Sequence, residues 1–111
     1  PQLATHIDGR GDYPIHHAAR NGETEIVRLL IDNGADVNAA NKRGHTVLYC
    51  AGGHGHRKTV QMLLKNHVDV EAKFTDDGKT LLQWLAQYPE DQRFTEITRM
   101  LSEYVDGGAL N

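Results

Sequence analysis

Seven histidines, one cysteine and a scatter of carboxylates are the side chains of this chain with chemistry to offer. The densest group is His54-x-His56 with His45 nearby and Cys50 between them. Zinc needs three or four converging ligands, commonly in paired Cys-x-x-Cys or as His-Glu-x-x-His on one helix face. Neither spacing occurs, so the expectation is solvated or turn-positioned histidines, with no metal or other cofactor. His17 and Asp12 are the best candidates for a general base and its orienting acid, but no nucleophile accompanies them and no glycine-rich phosphate loop follows a strand. Catalysis within these residues is therefore not expected. Arg10-Gly11-Asp12 spells a cell-adhesion tripeptide in what should be an exposed turn. A turn already demands that glycine, however, and a single cysteine argues against an extracellular setting.

The elements that would hold these residues come from a repeat. Residues 8–40 return as residues 41–73, sharing 10 of 33 positions, where unrelated segments should share about two on base frequencies. Gly11, Ala18, Gly22, Val27, Leu30, Asp36, Val37 and Ala39 recur as Gly44, Ala51, Gly55, Val60, Leu63, Asp69, Val70 and Ala72. A fixed period of this length means stacked units, none able to bury its apolar face alone, and it turns the question from catalysis to binding.

Within the first unit, Pro14 suits a first helical turn and Ile15, Ala18 and Ala19 form its apolar face. Gly22 ends that helix. Thr24 is the expected cap of a second helix carrying Ile26, Val27, Leu29, Leu30 and Ile31, and Asn33-Gly34 is its stop. Residues 35–40 read as an extended turn between helix pairs. The second unit repeats the plan, but His67-Val68 replaces Gly34-Ala35, which puts the left-handed stop in question at a cost of roughly 1 kcal/mol.

The third unit, residues 74–111, is altered. Gly78, Thr80, Leu82 and Ala86 sit one residue late, consistent with an extra residue near Phe74, and residues 87–92 read as an insertion of about four. Phe94, Ile97, Leu101 and Tyr104 then share one face of a helix whose other face is polar, as a terminal cap requires. Residues 1–7 are too few for a unit and read as the tail of one upstream, so the expectation is a single domain over residues 1–111, part of a longer protein.

At 111 residues and a net charge of −3, neither composition nor size favours a nucleic-acid binder or a membrane-surface protein. The charge is uneven: residues 41–68 hold Lys42, Arg43, Arg57, Lys58 and Lys65 with no acid. One cysteine allows no internal disulfide, and apolar runs are too short to span a bilayer, which points to a cytoplasmic or nuclear setting.

These strings resemble ankyrin repeats. The match is carried by Gly11, by Pro14 and His16, by Ala18-Ala19, by Glu25, Ile26 and Val27, and by G-A-D-V-N-A ending at Ala39; it weakens toward residue 105. The resemblance implies an all-α solenoid of stacked helix-turn-helix units joined by extended turns and closed by a C-terminal helix, and it implies a structural role for His16. No unit keeps the family's full T-P-L-H, which implies weaker turns than in a consensus copy. Asn38 matches a position that the resemblance marks as a target of asparagine β-hydroxylation; the plainer role is a hydrogen bond to the turn backbone.

Turn tips and the outer sides of the short helices vary between copies and form one concave surface. By matching positions it should include Arg10, Asp12, Arg20 and Asn21, then Lys42, Arg43, His45 and His54, then Asp77, Lys79, Gln87 and Tyr88. The expected function is a non-catalytic module for another protein or peptide, with an acidic or phosphorylated segment suited to the basic middle unit and no small-molecule substrate. The alternatives are a substrate-recruiting domain of a larger enzyme and a nucleotide- or oligonucleotide-binding surface on Lys42, Arg43, His45, Arg57 and Lys58. For the last, aromatic stacking residues are scarce, with Tyr49, Trp84 and Tyr88 at hand.

Overall fold

Helices of five to nine residues cannot persist alone in water, so each must bury a face against its neighbours, helped where a side chain caps its start. In the computed structural model, which describes residues 7–107, six helices run as three pairs: α1 (Pro14–Arg20) with α2 (Thr24–Asp32), α3 (Val47–Gly52) with α4 (Arg57–Lys65), and α5 (Leu81–Leu85) with α6 (Gln92–Val105). Thr46 and Thr80 cap α3 and α5 by accepting from the N–H groups of Tyr49 and Gln83, at 3.1 and 3.3 Å. Gln83 closes a capping box by accepting from the Thr80 N–H at 3.0 Å. Before α1 the threonine is absent, and His16 Nδ1 accepts from the Tyr13 N–H at 3.0 Å instead. The departures from the family pattern thus keep one or both halves of the box. Thr24 is not the cap expected of it: it is the first residue of α2, and its hydroxyl bonds that of Thr59 at 2.7 Å, tying α2 to α4.

The pairs stack in two layers, α1–α3–α5 and α2–α4–α6, the arrangement the resemblance implied. Small residues line the inner layer: Ala18, Ala19, Cys50 and Ala51 are fully or almost fully buried, and between the layers lie Val27, Val60, Leu63, Leu64 and Ile97. Polar rungs cross from unit to unit at the turns, where His16 Nε2 pairs with the Ala39 carbonyl at 3.1 Å and Asn41 Nδ2 donates to Asp12 Oδ1 at 2.8 Å. His16 has the structural place the resemblance implied, and burial pushes its imidazole toward the neutral form. The left-handed stops are Gly34 at φ +99° and, in the second unit, His67 at φ +61°. His67 therefore keeps the stop that glycine makes freely.

The third unit departs from expectation. Its extra residue lies in the turn, where the Phe74 N–H bonds the Lys79 carbonyl five positions on, against four between Asn41 and His45. No insertion follows. Gly78 to Phe94 spans the same interval as Gly11 to Val27 and Gly44 to Val60. Residues 87–92 look inserted because α5 stops early and Pro89 occupies the place of Gly22 and Gly55, whose φ of +70° and +81° a proline ring cannot adopt. At the far end Met100-Leu101 replaces the Asn33-Gly34 stop, so α6 runs on to Val105. Its buried face is Phe94, Ile97 and Leu101 with Tyr104 half-buried, and Arg99 on the outer side pairs with Glu96 and Glu103. No described helix is long and apolar enough to cross a membrane. The suggested upstream tail falls mostly on residues 1–6, outside the described residues.

Candidate protein-binding surface

The tip of the second turn is built by one side chain. Asn41 is buried, its Oδ1 accepts from the N–H groups of Arg43 and His45 at 2.9 and 3.0 Å, and Ala40 bridges to Thr46. This folds the loop so that Lys42 and Arg43 stand outward, exposed and without an ion pair among the described residues. The next tip is held by Thr75, whose Oγ1 accepts from the Lys79 N–H at 2.7 Å, while Asp77 and Lys79 pair with each other.

Between the tips and the inner helices runs a strip of rings. His45 lies 4.8 Å from Tyr49, Tyr49 stacks on Phe74 at 4.3 Å, and Trp84 meets Tyr49 edge-on at 5.3 Å. Tyr88 continues the strip at 5.0 Å from Trp84. The packing follows from the sequence: Phe74 replaces the turn asparagine and is buried, so the rings beside it are supported from below. Lys42, Arg43, His45, Tyr49, Phe74 and Trp84, with Thr75 and Asp76, line a groove of about 480 Å³. Burial, reinforced by the charges of Arg43 and Arg20, lowers the pKa of His45, so the ring is neutral at pH 7. Burial likewise lifts the Tyr49 phenol and pushes the Cys50 thiol up to about 11, leaving no reactive thiolate.

The residues singled out by position divide accordingly. Lys42, Arg43, His45 and Tyr88 meet at or beside the groove, and Asp77 and Lys79 lie at the adjacent tip. Arg10, Asn21, His54 and Gln87 are exposed, although His54 Nδ1 pairs with the Cys50 carbonyl at 2.9 Å and Gln87 donates to the Trp84 carbonyl. Arg20 is half-buried, 3.6 Å from Asp12 and 3.7 Å from the Cys50 sulfur, so much of its donor capacity is spent internally. Asp12 is a correction: it is 1% exposed, because its carboxylate turns inward to meet Asn41. With Gly11 also buried, the Arg10-Gly11-Asp12 tripeptide is not the exposed loop expected of it. Asn38 is exposed and its Oδ1 accepts from the Asp69 N–H at 2.7 Å, a bond to the next unit's backbone. His56 Nε2 bonds the Arg20 carbonyl at 2.8 Å.

Position-by-position reading missed the floor of the groove. Tyr49, Phe74 and Trp84 were visible as aromatics, and each stands where the other units carry something different: Phe74 opposite Asp8 and Asn41, Trp84 opposite His17 and Cys50. That substitution pattern was the available signal.

A sequence model described as ankyrin repeats (3 copies) matches residues 2–74. The probable E3 ubiquitin-protein ligase XBOS33 of Oryza sativa subsp. japonica is 44% identical over 111 residues, covering 99% of this chain and 21% of that protein. The E3 ubiquitin-protein ligase XBAT32 of Arabidopsis thaliana is 36% identical over 95% of this chain and 20% of its own length. Alpha-latroinsectotoxin-Lt1a of Latrodectus tredecimguttatus is 41% identical over 60% of this chain and 5% of its own length. The chain thus spans about a fifth or less of these relatives. The repeat model extends over well more than half of the sequence, and the chain belongs to the ankyrin repeat family.

Proposed function

We propose that this protein–protein interaction module binds an extended acidic or phosphorylated segment of a partner protein along the groove between the second and third turn tips. The observation that carries this reading is the pairing of two uncompensated cations, Lys42 and Arg43, with an aromatic floor of Tyr49, Phe74 and Trp84. Arg28, Lys79, Arg93 and Arg99 each pair with a neighbouring carboxylate, whereas Lys42 and Arg43 make no ion pair among the described residues and are open to an incoming anion. The rings supply an apolar seat for one side chain of the segment, and Trp, Tyr and Arg are the types that dominate binding energy. A framework fixed by buried rungs loses little entropy on binding.

A second, compatible reading is that the module recruits substrate for a larger enzyme. It is favoured by the 44% identity to a probable E3 ubiquitin-protein ligase across almost the whole chain. One variant addresses both. With the partner captured from the natural source, reversing Lys42 and Arg43 to glutamate should weaken binding at least about tenfold and flatten its salt dependence, as expected when two exposed cations are lost. In the full-length protein the same change should abolish modification of the captured partner. Unchanged affinity and salt slope would remove the acidic-segment reading; equal or tighter binding of a short RNA would replace it with a nucleic-acid one.

A further inference from the structure

Asp8, Asp12 and His17 bring three ligand atoms within 4.8 Å of one another at the first turn, away from the groove. Asp8 Oδ2 is 2.9 Å and Asp12 Oδ2 3.9 Å from His17 Nε2. The turn itself does not need this chemistry. Asp8 Oδ1 makes the two backbone bonds that shape the loop, from the N–H groups of Arg10 and Asp12 at 2.9 Å, and Asn41 makes the same pair in the second unit. The second carboxylate oxygen of Asp8 is therefore surplus to the fold. In the second unit the three positions are Asn41, His45 and Cys50, which leave the framework intact.

The second observation is a buried oxygen with nothing bonded to it. Asp12 Oδ1 is satisfied by Asn41 Nδ2, but Oδ2 is enclosed and has no hydrogen-bond partner. Enclosed carboxylate oxygens are almost always met by a donor or an ion, and this one looks toward His17 Nε2 and the Asp8 carboxylate.

We propose that Asp8, Asp12 and His17 bind a divalent transition-metal ion of the zinc type through Asp8 Oδ2, Asp12 Oδ2 and His17 Nε2. Zinc bonds of about 2.0–2.2 Å place neighbouring ligand atoms about 3.3 Å apart in a tetrahedron, a value that the 2.9 and 3.9 Å spacings bracket. The imidazole favours zinc over magnesium or calcium, which prefer all-oxygen sets. His17 presents its Nε2 lone pair with the ring proton on Nδ1, and water completes the shell. The cluster lines, together with Pro14, Ala18, Glu23, Ile26 and Leu30, an open groove of about 450 Å³.

The competing arrangement has the His17 Nε2–H donating to Asp8 Oδ2, which needs no metal. Calorimetric titration of the chelator-treated protein with zinc separates them. The expected result is one ion per chain, an affinity that falls at least about tenfold in His17→Gln and in Asp8→Asn, and zinc-induced shifts in the NMR spectrum confined among the histidines to His17. His17 is largely exposed and Asp8→Asn reproduces the residue of the second unit, so both variants keep the fold, as circular dichroism should confirm. No binding up to millimolar zinc, shifts at His54 or His56 instead, or unchanged affinity in the variants would overturn the proposal.

Discussion

His67 sits at φ +61°, where a β-carbon crowds the backbone and glycine does not. Its backbone N–H still bonds the Leu64 carbonyl, as that of Gly34 bonds Ile31, so the stop is made at a cost rather than lost. Its side chain is exposed, and His67→Gly should therefore stabilise the protein by about 1 kcal/mol, seen as a rise of about 4 °C in Tm. A fall in Tm would mean that the imidazole contributes something its exposure does not reveal. The replacement of glycine was plain in the sequence; that the left-handed geometry survives it was not, because the neighbouring helix end decides. Asp12 was misjudged for a related reason. A charged residue in a turn is exposed by default, and only the partner Asn41, 29 positions away, turns it inward.

Among the elements, α6 shows how far periodicity can be trusted. Its apolar face was legible because Phe94, Ile97 and Leu101 recur at helical spacing, and the structure buries all three. The connection before it was not, since a proline in the place of a positive-φ glycine changes the path of the chain without changing its length. Asp91 restarts the helix: Oδ1 accepts from the Arg93 N–H at 3.0 Å, and the same carboxylate holds the Arg93 guanidinium. Replacing it with alanine should cost about 1 kcal/mol, the usual value for a lost cap, measured by urea denaturation. No loss would show that Arg93, over the Phe94 ring at 5.0 Å, secures the helix start by itself. The groove floor escaped the sequence because it is assembled from α3, the 74–79 turn and α5, three segments whose rings meet only once the units stack.

Taken whole, the molecule is two layers of short helices in which each unit is completed by its neighbours, and the middle unit is covered on both sides. The 33-residue echo was enough to establish this plan, since stacking follows from repetition, while the direction of individual side chains at the tips depends on partners a repeat away. Cys50 lies at the centre of the plan, fully buried beneath Arg20, with a thiol lifted to about 11. A sulfur so placed meets a reagent once Arg20 and the first unit move off it. Its rate of alkylation should be at least about 1,000-fold below that of the urea-unfolded chain, as expected for an opening that costs about 5 kcal/mol or more. A rate near the unfolded value would mean that the units come apart singly. Cys50 thus serves as a native stopwatch, one atom whose labelling times the separation of the stack without any engineered probe.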